Sequence, residues 1–346
     1  MLVKDFDYNL PEDLIAQVPA KTREASRMLV LNKNAGDIEH KIFSDITNYF
    51  GEDDILILNN TKVIPARLLG QKDTGAKIEV FLLKNTEGKI WECLIKPAKR
   101  VKEDTVVTFS EVFQGKVIGR IENDKMAIEL IYEGDFYKIL DTVGLTPLPP
   151  YIQRQMTDNE IKTLDQKRYQ TIYAQIPGSV AAPTAGLHFT EEIMQKLREK
   201  GVEIGFVNLN VGLGTFRPVK VENILNHKMD SEIFEIPEET AALIVKAKAK
   251  GKKITAVGTT TVRTLETVFS KYGEICACSG ASELFIYPGY EFKVIDRLLT
   301  NFHLPKSTLL MLVSALSSRE KILQAYEEAI AQKYRFYSYG DCMFIR

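Results

Sequence analysis

Three of the four histidines in this chain, His188, His227 and His303, sit in loops that mix polar and apolar residues. Imidazole titrates near neutrality, so each can accept or donate a proton at physiological pH. His188 lies in QTIYAQIPGSVAAPTAGLHFT, a run from Gln170 to Thr190 without a formal charge in a chain that is 26% Asp, Glu, Lys and Arg. Pro177-Gly178 and the stretch 183–186 break any helical period, and Thr190-Glu191-Glu192 then opens a helix. Such a loop brings backbone N–H groups close to a ligand, and a helix N-terminus beside His188 should lower its pKa and keep the ring neutral.

The remaining motifs point to proton transfer and anion binding. His227 is followed by Asp230 and Glu232, enough for an acid/base pair or a carboxylate-oriented imidazole. His303 stands in Asn301-Phe302-His303-Leu304-Pro305-Lys306, ahead of the apolar run 309–313. Strand-like 254–257 leads through Gly258 into Thr259-Thr260-Thr261, a helix start whose free N–H groups favour a carboxylate or phosphate. Gly212 and Gly214 precede Thr215 in a tight G-x-G turn, without the rest of a dinucleotide fingerprint. The polar segment 59–67 follows the apolar strand 55–58 and reads as a site or as a hinge. No nucleophile elbow, Walker motif or metal cluster competes for the chemistry.

Composition narrows the class. Lys and Arg number 45 against 46 Asp and Glu, so no global basic signature marks a nucleic-acid binder. No apolar run is long enough to span a membrane, and the N-terminus is unlike a signal peptide. Cys93, Cys276, Cys278 and Cys342 are too scattered for a disulfide framework, which fits the reducing cytoplasm.

The elements that must position these groups fall into two patterns. Residues 66–70, 77–83, 90–96, 105–109, 113–121 and 125–132 are short β-branched or alternating runs separated by polar turns, the pattern of a small antiparallel barrel. Thr146-Pro147-Leu148-Pro149-Pro150 reads as a stiff exit. Elsewhere strands are expected at 28–31, 55–58, 202–209, 254–257 and 283–286. Helices are expected at 11–17, 191–200, 237–250, 260–270 and 319–332, the last capped by Ser317 with Glu320. The expectation is an α/β main domain built from both ends of the chain, 1–65 and 151–346, with a six-stranded antiparallel β-barrel inserted at 66–150. The residues alone lead to an α/β enzyme using His and carboxylate on an anionic or nucleoside-like ligand. A metal-dependent hydrolase or phosphotransferase at the Gly258-Thr259-Thr260 turn, or a non-catalytic RNA-binding protein, remains open.

Taken in order, the motifs resemble the S-adenosylmethionine:tRNA ribosyltransferase-isomerases of queuosine biosynthesis. The likeness runs from Asp5-Phe6-Asp7-Tyr8 through AAPTAGLHFT at 181–190 and TNFHLPKSTLL at 300–310 to Tyr337-Ser338-Tyr339-Gly340-Asp341, nearly the whole chain. One departure is Asp230, where the family usually carries His. The resemblance implies transfer and isomerisation of the ribosyl group of S-adenosylmethionine, a co-substrate, onto 7-aminomethyl-7-deazaguanine in a tRNA anticodon. The product is epoxyqueuosine-tRNA, with adenine and methionine released and no metal required. It makes His188, His227, Glu232 and His303 the expected catalytic groups. Gly212, Gly214, Thr215, Gly258, Thr259 and Thr260 are then the expected S-adenosylmethionine contacts. With net charge −1, tRNA must be met by local charge, and Lys96, Lys99, Arg100 and Lys102 on a barrel turn, with Arg263, are the expected contacts. A cytoplasmic monomer is expected.

Overall fold

The run Asp54–Asn59 is buried at every residue, the pattern of a strand covered on both faces. Alternate side chains serve different cores: Ile55 and Ile57 pack with Val262 and Leu265, while Leu56 and Leu58 pack with Ile193 and Leu197. This strand is the middle of a three-layer arrangement in the computed structural model, which describes residues 1–122, 124–154, 159–212, 214 and 219–346.

The strands begin with β1 (Arg27–Leu31), β2 (Ile38–Ile42), β3 (Asp54–Asn59) and β4 (Thr61–Val63). Then come β5 (Arg67–Gln71), β6 (Lys77–Glu87), β7 (Ile90–Lys96), β8 (Val106–Ser110), β9 (Phe113–Arg120) and β10 (Lys125–Tyr132). They continue with β11 (Ile176–Ser179), β12 (Glu203–Leu209), β13 (Glu232–Ile236), β14 (Lys253–Val257), β15 (Cys278–Ser282), β16 (Arg297–Asn301) and β17 (Cys342–Ile345). The helices are α1 (Phe136–Val143), α2 (Asn159–Arg168), α3 (Glu191–Glu199), α4 (Glu238–Ala249), α5 (Thr259–Tyr272), α6 (Thr308–Leu316) and α7 (Arg319–Ala331).

Nine strands form one sheet in the order β15-β13-β12-β3-β14-β16-β17-β1-β2. Its centre, β12, β3, β14 and β16, is parallel, so four strand ends converge on one edge. Six others close the barrel β10-β7-β6-β5-β8-β9, all antiparallel and, among the described residues, sharing no pairing with the large sheet. The barrel has its own apolar filling, including Leu68, Val80, Cys93, Val107, Val117 and Ile128. Among the described residues no helix is long and apolar enough to cross a membrane.

Three local expectations are corrected. The helix expected at 11–17 shrinks to a single 3₁₀ turn, Glu12–Leu14, because the next residues pair with the C-terminal segment: Phe336 N–H donates to Leu14 O at 2.8 Å. The strand expected at 283–286 lies earlier, at β15, whose small residues Ser279, Gly280 and Ala281 carry little strand propensity. The cap of α7 is Ser318, which accepts from Lys321 N–H at 3.2 Å, while Ser317 donates to Lys33 O. The apolar run 309–313 is helical, within α6.

The chain enters the barrel through Ile64-Pro65-Ala66 and leaves at Leu145, which exchanges two backbone hydrogen bonds with Arg67. Gly144 ends α1 at this junction, where an added Cβ would meet Pro65 O at 2.1 Å. Gly144→Ala should therefore force the two connections apart and cost roughly 1–3 kcal/mol. Chemical denaturation followed through Trp91, the single tryptophan and a barrel residue, measures this.

Candidate active site

Parallel strands leave their terminal N–H and C=O groups at a shared edge, where ligands of open α/β sheets bind. At this edge Asn59 closes β3. Its amide donates to Leu209 O at 3.0 Å and Thr260 Oγ1 at 3.3 Å, and its Oδ1 accepts from Leu209 N–H at 3.2 Å. Asn59 thus ties β3, β12 and α5 together, a fixed scaffold rather than a hinge. Beside it Gly258 adopts φ +83°, a left-handed turn that suits glycine, and serves as the N-cap of α5 without a side-chain cap. The first N–H groups of the helix therefore face outward unsatisfied, as an anion site requires.

Gly258, Thr259 and Thr260 share a small cavity of about 50 Å³ with Thr300, Asn301, His303, Tyr337 and Ser338. His303 is 8% exposed, and its Nε2 lies 2.8 Å from Thr300 Oγ1. Tyr326 OH holds its backbone N–H at 2.9 Å, and the Tyr8 hydroxyl donates to its carbonyl. Burial lowers the imidazole to about 3, so it is neutral at physiological pH. Asn301 donates to Tyr337 O at 2.9 Å, yet its buried Oδ1 has no partner. Tyr337 itself takes φ +71°, uncommon for an aromatic residue and characteristic of strained functional segments.

His188 ends a 3₁₀ turn, Thr184–His188, just before the Thr190 cap of α3, and lies in a neighbouring pocket with Arg23, Arg168 and Tyr339. Its ring is buried against Phe43, with centroids 5.3 Å apart. Burial pushes its pKa down to about 4; the adjacent Asn301 amide opposes the shift without closing a hydrogen bond on Nε2. The lowered value matches the expectation, but desolvation rather than a helix terminus causes it.

Glu232 and Arg263 form a buried ion pair, each about 5% exposed. The second Glu232 oxygen accepts from Gly212 N–H at 3.0 Å, and Arg263 also donates to Leu284 O at 3.2 Å and Ser282 O at 3.3 Å. Two expectations change as a result. Glu232 has both oxygens engaged and positions the Gly212 turn. Arg263 cannot meet a phosphate from inside the protein. Gly212 and Gly214 line a larger cleft of about 560 Å³ between the sheet and the barrel, with Asp230, Trp91, Tyr132 and Phe136; Val211 borders both cavities. Thr215 lies outside the described residues. His227 is half-buried against Phe285 and lines neither cavity; burial lowers its pKa while Asp230 opposes the shift.

Lys96, Lys99, Arg100 and Lys102 are exposed, as a phosphate-binding turn requires. They lie at the end of β7 remote from Trp91 and the cleft. Among the described residues no group of three or more His, Cys, Asp and Glu side chains is arranged to hold a metal. Asn59, Thr300 and Tyr337 fall within segments the sequence had marked, 59–67, 300–310 and 337–341, but no residue type singled them out individually.

The family model described as "Queuosine biosynthesis protein" matches residues 3–345. The crystal structure of S-adenosylmethionine tRNA ribosyltransferase from Thermotoga maritima is 37% identical, with a TM-score of 0.57. That likeness covers 99% of this chain and all of that one.

The two buried imidazoles set a pH response. In the unfolded chain they bind protons near 6.5; in the folded protein they do so only near 4 and 3. The unfolded state takes up protons first, so stability should fall as pH drops from about 6.5 toward 4. His188 accounts for roughly 3 kcal/mol of that loss. Denaturation midpoints measured across this range should fall less steeply for His188→Gln than for the parent.

Proposed function

The chain belongs to the family of queuosine biosynthesis proteins, and from that premise we propose its function in detail. It is an enzyme, a tRNA ribosyltransferase-isomerase that uses S-adenosylmethionine as its ribosyl donor. The acceptor in this reading is 7-aminomethyl-7-deazaguanine in the tRNA anticodon, and epoxyqueuosine-tRNA, adenine and methionine are the products. One observation carries the site assignment: the uncapped start of α5 faces a buried, neutral His303 across a small cavity that meets the larger cleft at Val211.

Those residues fit the donor. The unsatisfied N–H groups of Thr259, Thr260 and Thr261 suit its carboxylate. Gly258 lets the backbone approach closely, while Gly212 and Gly214 border the space where the nucleoside end extends. The donor's sulfonium acidifies the neighbouring ribose C5′–H and makes methionine a leaving group. His303 is the proposed proton acceptor, with Thr300 fixing its ring and tautomer. A carboxylate held in the same cavity raises its pKa toward the working range. Its conjugate acid then serves as the donor that departing adenine needs. His188 stands behind Asn301 as a neutral support, and His227 supports the rim near Asp230.

Residues 66–150 are taken as an inserted domain on the body formed by 1–65 and 151–346; the barrel's separate pairing supports this division, and its core extends to Ile64 and Val180 at the junction. Lys96, Lys99, Arg100 and Lys102 are taken as contacts to tRNA phosphates. We place the enzyme in the cytoplasm as a monomer.

Incubation with S-adenosylmethionine and tRNA bearing the aminomethyl base should release adenine and methionine together; methylated RNA with no adenine release would refute the reading. Gly258→Val places a β-branched residue at φ +83°, and should weaken S-adenosylmethionine binding by about tenfold, roughly 1.4 kcal/mol, in calorimetry. His303→Ala should lower turnover about 10²-fold or more with little change in donor affinity. Turnover within about threefold of the parent would remove His303 from the proton-transfer role.

A further inference from the structure

The cleft of about 560 Å³ has two unlike walls. On the barrel side Tyr132, Phe136 and Tyr137 form a continuous aromatic face, with Tyr132–Phe136 and Phe136–Tyr137 centroids both 5.3 Å apart. Trp91 backs Phe136, also at 5.3 Å, and stiffens it. Tyr137 remains 41% exposed, an aromatic surface that the fold itself does not use. The opposite wall is polar, carrying Asn210, Gly212, Gly214 and Asp230.

Asp230 is the distinctive group on that wall. Glu232 is committed to Arg263 and Gly212, whereas Asp230 makes no hydrogen bond or ion pair among the described residues. Its Oδ2 would lie 2.4 Å from a Cβ at Gly214, so the missing side chain there keeps the carboxylate's place in the cleft. An aromatic face opposite an exposed carboxylate suits a planar heterocycle with a cationic substituent.

Resting on the function above, we propose that this cleft binds the acceptor base of the tRNA. The base stacks on Tyr132, Phe136 and Tyr137, and its aminomethyl group, protonated on arrival, faces Asp230. An unpaired anticodon base is free to enter in this way, because single-stranded bases are recognised by stacking and edge contacts. Val211, shared with the smaller cavity, places the bound base next to the donor site.

The test uses the full chain and two anticodon stem-loop RNAs, one with 7-aminomethyl-7-deazaguanine and one with guanine at the same position, followed by fluorescence anisotropy. The parent should prefer the aminomethyl RNA. Tyr137→Ala should weaken both RNAs by about tenfold, as loss of base stacking does, and Tyr137→Phe should restore them. Asp230→Asn should erase the preference by weakening only the aminomethyl RNA, by about tenfold or more. Retained S-adenosylmethionine binding shows that each variant is folded. If the parent turns over and discriminates while Tyr137→Ala and Asp230→Asn both keep affinity and preference within about twofold, the base lies elsewhere. A parent that releases no adenine from either RNA overturns the functional reading itself, and this inference with it.

Discussion

The buried pair between Arg263 and Glu232 is the interaction on which both cavities depend. It joins α5, whose start faces the small cavity, to β13, whose start borders the cleft. The second Glu232 oxygen carries the connection to the Gly212 turn, and the other guanidinium bonds hold 282 and 284. Ions removed from water gain little unless every lone pair and N–H finds a partner, and here most do. Loss of either partner would leave an uncompensated buried charge, a defect worth about 3–5 kcal/mol. The pair therefore sets geometry more than it adds stability. It holds the helix start and the glycine turn in one register, so that a molecule spanning both cavities meets fixed walls.

Burial does the rest of the electrostatic work. His188 and His303 are both neutral because water is excluded from them, and neither has a carboxylate partner to restore its charge. The site is then poised to receive charge from its ligand instead of carrying its own. The uncapped helix start shares that property: its N–H groups are incomplete until a polar acceptor arrives.

The barrel is legible in the sequence because its six runs alternate, are separated by polar turns and pair mostly with their sequence neighbours. The large sheet is only half legible. Its parallel centre shows as apolar runs, but β13 is short and buries a carboxylate: Glu232, Phe234 and Ile236 point inward while Ile233 is 43% exposed. Phe234 and Ile236 set the inward face, and only the partner at Arg263, 31 residues away, explains why a carboxylate shares it. The site shows the same division. The Gly258 turn and His303 can be read from local spacing. Which His faces which cavity depends on how β16 and the segment 337–341 pack, and no local pattern encodes that. Arg263 looked like a surface cation for the same reason.

The position of β17 carries a consequence for how the protein is made. This last strand sits between β16 and β1, parallel to β1 and antiparallel to β16. The barrel closes from one contiguous stretch and can form early, while the remainder is still being synthesised. The nine-stranded sheet cannot, because β1 and β2 have no link to its other strands until residues 342–345 arrive. For most of translation β1 is a hydrophobic edge awaiting a partner, the kind of edge that invites wrong pairing. Completion of the large sheet thus waits on residues 342–345, and a nascent chain stalled before them would carry a finished barrel beside an open sheet.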